Sequence, residues 1–384
     1  MKSNLIDTKQ ANTLIELQGC GQSVWLDNIS KAILDSGELK KLIDEDGLRG
    51  VTSNPTIFEK AINGSQDYDS ALSQLARKGR TVDEIYEALV IDDIQRATDL
   101  FQPLFRASKG LDGYVSLEVS PKLANETQRT LEEARRLWAK VDRANVMIKV
   151  PATPAGIPAI EQLISEGINV NVTLMFSLEH YVRVAEAYVR GLQARARNGK
   201  PLAVGSVASF FVSRVDSLID KLLEERLSHA IDASEKQKLQ SLLGKTAIAN
   251  SRIVYQKFKE IFGRRAFLEL KEKGAGVQRP LWASTSTKNP KYRDVLYAEE
   301  LIGPDTVDTM PPATIDAFRD HGRVRVSLEE GLEKADDVFR SLADLGIDMA
   351  AATEKLQVDG VKLFADSFDT LMKSLASKRE SLAK

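Results

Sequence analysis

The sequence predicts an α/β fold, a (β/α)8 TIM-type barrel with additional C-terminal helices. Three observations point there. Short β-branched runs alternate with longer helical stretches, the pattern of parallel strands joined by helical crossovers. Eight such runs can be placed, enough to close a barrel, although six of them would also fit an open sheet and periodicity alone does not choose. Three of the runs put polar side chains on one parity and aliphatic ones on the other, so their two faces meet different surroundings.

Taken in order, the strand candidates are residues 23–26, 50–52, 114–118, 146–150, 169–174 and 203–207, with two more at 277–283 and 306–308. Val82, Ile85, Leu89 and Ala97 mark a helix between them. It is expected to stop before Pro103, which lacks an N–H and crowds the preceding turn. Leu131, Ala134, Leu137 and Val141 mark another, with Asn125 as its expected N-cap. In the tail, Val361, Phe364, Phe368, Leu371 and Leu375 recur three and four apart and give a helix one apolar face. That face is expected to pack on the outside of the main domain rather than on a partner. No Pro/Gly/Ser-rich linker or short repeat divides the chain. It reads as a single domain, with an extension over about residues 1–22, a barrel over about 23–320 and a helical appendage over about 321–384.

Composition narrows the function. The 384 residues are 43% apolar and 28% charged, as in an ordinary soluble globular protein. Fifty-three Lys and Arg against 55 Asp and Glu leave a net charge of −2, without the basic excess of a general nucleic-acid surface. No apolar run approaches a membrane span. The opening MKSNLIDTKQ lacks the apolar core of a secretory signal, so a cytoplasmic location is expected. One cysteine, Cys20, excludes an intrachain disulfide, and the three histidines show no metal-ligand spacing. There is no Gly-rich dinucleotide fingerprint and no Walker A pattern. Neither a cofactor nor a metal is expected, which leaves Lys, Asp, Glu and hydroxyl groups to carry any chemistry.

Parity supplies the candidates. In the run from Val146 to Val150, Met147 and Lys149 share one face; in that from Tyr114 to Val119, Ser116 and Glu118 do. In the run from Asn169 to Leu174 the split is complete, Asn169, Asn171 and Thr173 against Val170, Val172 and Leu174. In a barrel the aliphatic parity faces the helices and the polar parity lines the interior. The last inward residue of each strand then reaches the C-terminal rim, where such barrels place their active sites. This rule brings Asp27, Asn54, Glu118, Lys149 and Thr173 to five successive strand ends. Each has a plainer alternative: Asp27 as a helix cap near Ile29, Asn54 as a turn residue before Pro55, Glu118 as a solvated strand end, Thr173 as a structural hydroxyl. Lys149 is hardest to explain structurally, because an ammonium among Val, Met and Ile must find a partner or shift its pKa. A desolvated lysine amine is a nucleophile toward carbonyls, and nearby carboxylates can move the protons that carbon–carbon cleavage requires. The set suggests metal-free class I aldol chemistry.

These segments resemble transaldolase. The resemblance rests on Trp25-Leu26-Asp27, Thr52-Ser53-Asn54-Pro55-Thr56, Ser116-Leu117-Glu118-Val119-Ser120 and Ile148-Lys149-Val150-Pro151, and on the run from Gly167 to Ser177. These pieces follow one another in the family's order, and together the match runs from about Leu26 to Met310. The resemblance implies a circularly permuted (β/α)8 barrel of the non-oxidative pentose phosphate pathway, of the longer bacterial type. It implies transfer of a dihydroxyacetone unit from sedoheptulose 7-phosphate to glyceraldehyde 3-phosphate, giving erythrose 4-phosphate and fructose 6-phosphate. Lys149 is then the Schiff-base residue and Asp27 the acid/base of cleavage. Glu118 would work through a water held by Thr173, and Asn54 and Ser209 would hold the dihydroxyacetone hydroxyls. Phe211 and Arg214 fall in a segment resembling the family's phosphate site, Phe211 as a packing wall. Near Ser284 many relatives have a serine followed two residues on by arginine; this chain has Ser284-Thr285-Ser286, and Lys288 is expected to supply the second charge. Partners are expected to be small sugar phosphates, with no nucleic acid and no membrane, in a monomer or a homodimer. Two alternatives stand beside transfer: a class I fructose 6-phosphate aldolase that releases dihydroxyacetone, and a sugar-phosphate-binding barrel without catalysis.

Overall fold

All eight runs form strands, and the strands close on themselves. In the computed structural model, which describes residues 12–382, the strands are β1 (Gln22–Leu26), β2 (Gly50–Val51), β3 (Tyr114–Glu118), β4 (Val146–Pro151), β5 (Val170–Met175), β6 (Ser206–Phe211), β7 (Arg279–Ala283) and β8 (Thr306–Met310). They are parallel, each pairs with the next in sequence, and β8 pairs back to β1. Residues 1–11 of the expected N-terminal extension lie outside the described residues. The remainder folds as the helix Thr13–Gly19, whose cap Asn12 accepts from the Leu14 N–H.

Three local expectations are corrected. The helix expected to stop at Pro103 runs on as Val82–Ala107. Pro103 and Asp99, whose carbonyl loses its helical partner, are both exposed, so solvent can take the missing bond while Phe101 stays buried. Asn125 is not a cap: the helix Thr127–Val141 starts later and has no side-chain cap, and the Thr127 hydroxyl instead donates to the Ala155 carbonyl at 2.7 Å. The sixth strand lies further along than residues 203–207. Gly205 spends its N–H on the Asn169 side chain at 2.8 Å, and ladder pairing with β5 begins at Ser206.

The interior parity holds around the barrel and is stacked in layers. At the N-terminal end Arg279 is buried and donates to Ser23 at 2.8 Å and to Asp112 at 2.9 Å. Above it lies Trp25, with Gly50 opposite; a Cβ on Gly50 would stand 2.6 Å from the indole, so only glycine fits beside that ring. Higher still, Asn171 donates to Ser116 at 3.0 Å and accepts from Ser209 at 2.7 Å, linking three strands. The lower and upper layers pair these polar side chains within the barrel, whereas Trp25 Nε1 between them is buried without a hydrogen-bond partner.

Near the rim β5 is irregular. Register with β6 shifts between Val172 and Met175, and Leu174 sits at φ 60°, a left-handed conformation that costs a side-chain-bearing residue about 1 kcal/mol. The tail helix Met349–Leu382 answers this bulge. Gln357 donates to the Leu174 carbonyl at 2.9 Å and to the Ala152 carbonyl at 3.2 Å. Gly360 permits the approach, since a Cβ there would meet Leu174 Cδ2 at 2.9 Å. The tail therefore packs on its own barrel, but across the strand C-termini rather than merely on the outside, with Phe364, Leu371 and Leu375 buried.

Asp308 on β8 faces the helix layer, since its neighbour Thr309 faces inward against Thr52. It is fully buried; Thr285 donates to one oxygen at 2.8 Å and the other has no partner. Burial pushes its carboxyl up to about 7 from an ordinary 3.8. The folded state therefore keeps a proton that the unfolded chain has released, and stability falls as pH rises from about 4 to about 7. Asp308→Asn keeps the acceptor for Thr285 and never ionises. It should melt close to the parent at about pH 4 and above it at about pH 8, by up to roughly 4 kcal/mol. Melting curves that run parallel across this range would show that Asp308 is not held protonated.

Candidate active site

The five strand ends do converge on the C-terminal rim, in two tiers. Lys149 is the only lysine on any of the eight strands. It is 4% exposed, and its ammonium finds partners: Nζ donates to the Ser53 carbonyl at 3.0 Å and lies 3.4 Å from Glu118 Oε2. The β3–β4 register sets Glu118 directly beside it. Glu118 is buried, not solvated, and burial raises its carboxyl against the pull of Lys149. Beyond the Lys149 contact its oxygens have no hydrogen-bond partner, and neither does the buried hydroxyl of Thr173.

Asp27 follows β1 and its backbone N–H donates to Met310 at 2.8 Å. It does not cap the next helix, which is capped by Ser30. Instead Thr52 donates to its carboxylate at 2.6 Å, and Thr52 is itself 2.7 Å from Thr309. Burial raises the Asp27 carboxyl, while Lys149, the Thr52 hydrogen bond, Lys288 and Arg214 pull it down. Asn54 has a structural part as well, as a helix cap rather than as the turn residue of its plainer alternative. It caps the helix Pro55–Asn63, accepting from the Ile57 N–H at 3.0 Å, with Pro55 suited to the first turn.

A cavity of about 290 Å³ opens above these groups. Its wall includes Asp27, Asn54, Lys149, Ser209, Phe211, Arg214, Ser284 and Lys288, eight of the ten candidates. Glu118 and Thr173 are not on that wall. Glu118 borders a separate cavity of about 50 Å³ behind it, beside Tyr86 and Phe368. Ser209 faces the main cavity while donating to Asn171. Trp282, by contrast, points to the helix layer, edge-on to Phe210.

The upper wall is cationic. Arg214 stands 5.1 Å from the centroid of the Phe211 ring and 6.0 Å from that of Phe364, and burial draws its guanidinium below the usual range. Lys288 is also drawn down, first by burial and then by the charge of Arg214; it donates to Ser286 at 2.6 Å. Ser284 sits at φ 58°, its hydroxyl 2.9 Å from that of Ser213, which ties the loop after β7 to the end of β6.

Several members escaped the sequence reading. Thr52 shares the inward parity of Asn54, so the same rule would have found it. Lys60 lines the cavity from the helix that follows Asn54, and Leu363 and Phe364 line it from the tail helix distant in sequence, with Phe364 5.8 Å from Lys149 Nζ through its ring centroid. Among the described residues no cluster of His, Cys, Asp and Glu is placed to hold a metal, and no helix is long and apolar enough to cross a membrane. What remains is a buried amine beside two carboxylates with raised pKa, under a cavity rimmed by cations. Such a set can form an imine with a carbonyl, shuttle protons and bind an anionic group.

Comparison with known proteins agrees with this chemistry. A family model described as Transaldolase/Fructose-6-phosphate aldolase matches residues 24–375. A protein named Transaldolase from Trichodesmium erythraeum is 48% identical over 374 residues, covering 97% of this chain and 98% of that one. Transaldolase 2 from a Nostoc species is 48% identical over 376 residues, covering 97% and 99%. A Transaldolase from Thiobacillus denitrificans is 47% identical over 362 residues, covering 94% and 99%.

Proposed function

The chain belongs to the transaldolase/fructose-6-phosphate aldolase family, and from that premise we propose that it transfers a dihydroxyacetone unit between sugar phosphates through a Schiff base on Lys149. One observation carries the assignment: the barrel's single strand lysine lies at the cavity floor, 3.4 Å from a buried carboxylate. The amine must be neutral to attack the ketose C2 carbonyl. Glu118, made more basic by burial, is the acceptor within reach. Attack gives a carbinolamine, and loss of its hydroxyl as water gives the imine. A water between Glu118 and Thr173 would carry these protons, satisfying two buried polar groups that otherwise have little to bond.

Asp27 then takes the proton from the C4 hydroxyl. The C3–C4 bond breaks, the C4 oxygen becomes the carbonyl of the departing aldose, and the electron pair passes into the imine to give an enamine. A second aldehyde enters and the enamine C3 attacks it. Asp27 returns the proton to the new C4 oxygen, and water through Glu118 frees the ketose. Ser209 and Asn54 hold hydroxyls of the retained fragment, while Arg214, Ser284 and Lys288 receive the phosphate. Arg214 offers a planar donor fork and Lys288 a point charge. Phe211 and Phe364 wall the enamine from solvent, which favours transfer over release. The same reading places the enzyme in the cytoplasm with its soluble substrates.

Borohydride reduction in the presence of fructose 6-phosphate, followed by peptide mass mapping, tests this. A reduced dihydroxyacetone adduct on Lys149 is expected, with free dihydroxyacetone staying low when no acceptor is supplied. Steady release of dihydroxyacetone would make the protein an aldolase. Folded protein without an adduct on any lysine would leave a sugar-phosphate binder.

A further inference from the structure

We propose that Lys60 is a further phosphate-binding residue, the third cation of a clamp with Arg214 and Lys288. The inference rests on the transfer reaction proposed above and specifies how its substrates are held.

The chain as a whole has a net charge of −2, yet the cavity wall carries Lys60, Lys149, Arg214 and Lys288 against the single carboxylate of Asp27. Lys149 lies at the floor and its ammonium is held by Glu118 and the Ser53 carbonyl. The other three have no carboxylate partner among the described residues: Arg214 is flanked by two aromatic rings, and Lys288 bonds only a serine. Lys60 and Arg214 each press on Lys288 electrostatically, so the three charges share one space. Asp27 is one carboxylate set against these cations and also faces Lys149, so like charges remain in excess, and an anion between them relieves their repulsion.

Lys60 is an exposed lysine, and most exposed helical lysines simply face water. On this chain such lysines divide: Lys221, Lys236, Lys271, Lys334 and Lys373 pair with no carboxylate among the described residues and, unlike Lys60, line no part of this cavity, while others pair within their own helix. Lys31, Lys40, Lys355 and Lys362 each reach a carboxylate four residues on. Four residues after Lys60 stands Gly64, and four before it Thr56, which also lines the cavity. Neither neighbouring turn offers an acid. The helix that carries Lys60 is the one capped by Asn54, so a single rigid element presents a hydroxyl-binding amide at its start and a cation at its end. A phosphate monoester carries close to two negative charges at neutral pH and three acceptor oxygens, which suits three donors on three different elements.

The test uses Lys60→Ala and Lys60→Arg in the full chain, with sedoheptulose 7-phosphate saturating as donor, glyceraldehyde 3-phosphate or unphosphorylated glyceraldehyde as acceptor, and erythrose 4-phosphate release as the readout. In Lys60→Ala the KM for the phosphorylated acceptor should rise roughly tenfold to a hundredfold, as for loss of one charge-assisted hydrogen bond. The kcat and the KM for glyceraldehyde should stay near the parent values. Lys60→Arg should recover most of the loss. Inorganic phosphate, as a competitive inhibitor, should weaken by the same factor. An unchanged KM and unchanged inhibition by phosphate would overturn the proposal. So would equal losses for both acceptors, which would mean that the helix had moved. Calorimetric titration of inorganic phosphate into parent and Lys60→Ala reads the site without turnover. A parent that binds phosphate more tightly than the variant but transfers nothing would sink the transfer reaction and keep the clamp.

Discussion

Lys149→Ala should lower turnover by roughly four orders of magnitude or more, because the covalent route closes and no other strand lysine can replace the amine. Truncation also strands Glu118 as a buried carboxylate without its counter-ion, and breaking a buried pair commonly costs about 3–5 kcal/mol. Glu118 is already raised by burial, so in the variant it should take up a proton and limit that loss. Lys149→Arg separates chemistry from folding. Its guanidinium keeps the positive charge beside Glu118 but stays protonated and forms no imine. The expected result is a folded, inactive enzyme that yields no adduct with borohydride. Parent-like turnover in either variant, or an adduct on another lysine of the parent, would remove Lys149 from the mechanism.

Much of this site could be read from the chain because a barrel turns sequence parity directly into location. Alternate residues of a strand point inward, and the last of them reaches the rim, so Lys149, Glu118 and Asp27 needed only the period-two pattern. That pattern does not tell which rim residues share one chamber. Glu118 and Thr173 share the inward parity of Lys149 yet do not line the main cavity, and the irregularity of β5 at Leu174 leaves no mark in hydrophobic alternation. Nor could the tail's place be read. The spacing of Val361, Phe364, Phe368, Leu371 and Leu375 gives an apolar face but not its partner. The docking depends on long-range details, the Gln357 bonds to two rim carbonyls and the clearance at Gly360. Pro103 misled for a related reason: its cost depends on whether the orphaned carbonyl is exposed, a property of the packed helix rather than of the sequence.

The second large effect is expected at Asp27, and it should fall on a different step. Asp27→Asn keeps an oxygen to accept from Thr52, so the local hydrogen bonding survives. The variant should still bind fructose 6-phosphate and still give an adduct on Lys149, since imine formation runs through Glu118. What it lacks is the base for the C4 hydroxyl, and cleavage should slow by roughly 10²- to 10⁴-fold. Single-turnover release of glyceraldehyde 3-phosphate would measure that step directly. An unchanged cleavage rate, or loss of the adduct, would assign Asp27 another task. The parent's pH profile follows from the same carboxyl. It must be ionised to act as the base, and burial raises its pKa, so activity should fall on acidification at a higher pH than for an ordinary aspartate. Arg214 and Lys288 oppose that rise. Removing either cation should therefore move the acid limb to still higher pH, coupling the phosphate end of the cavity to its catalytic floor. A limb that stays fixed in Arg214→Ala would show that the two ends act independently.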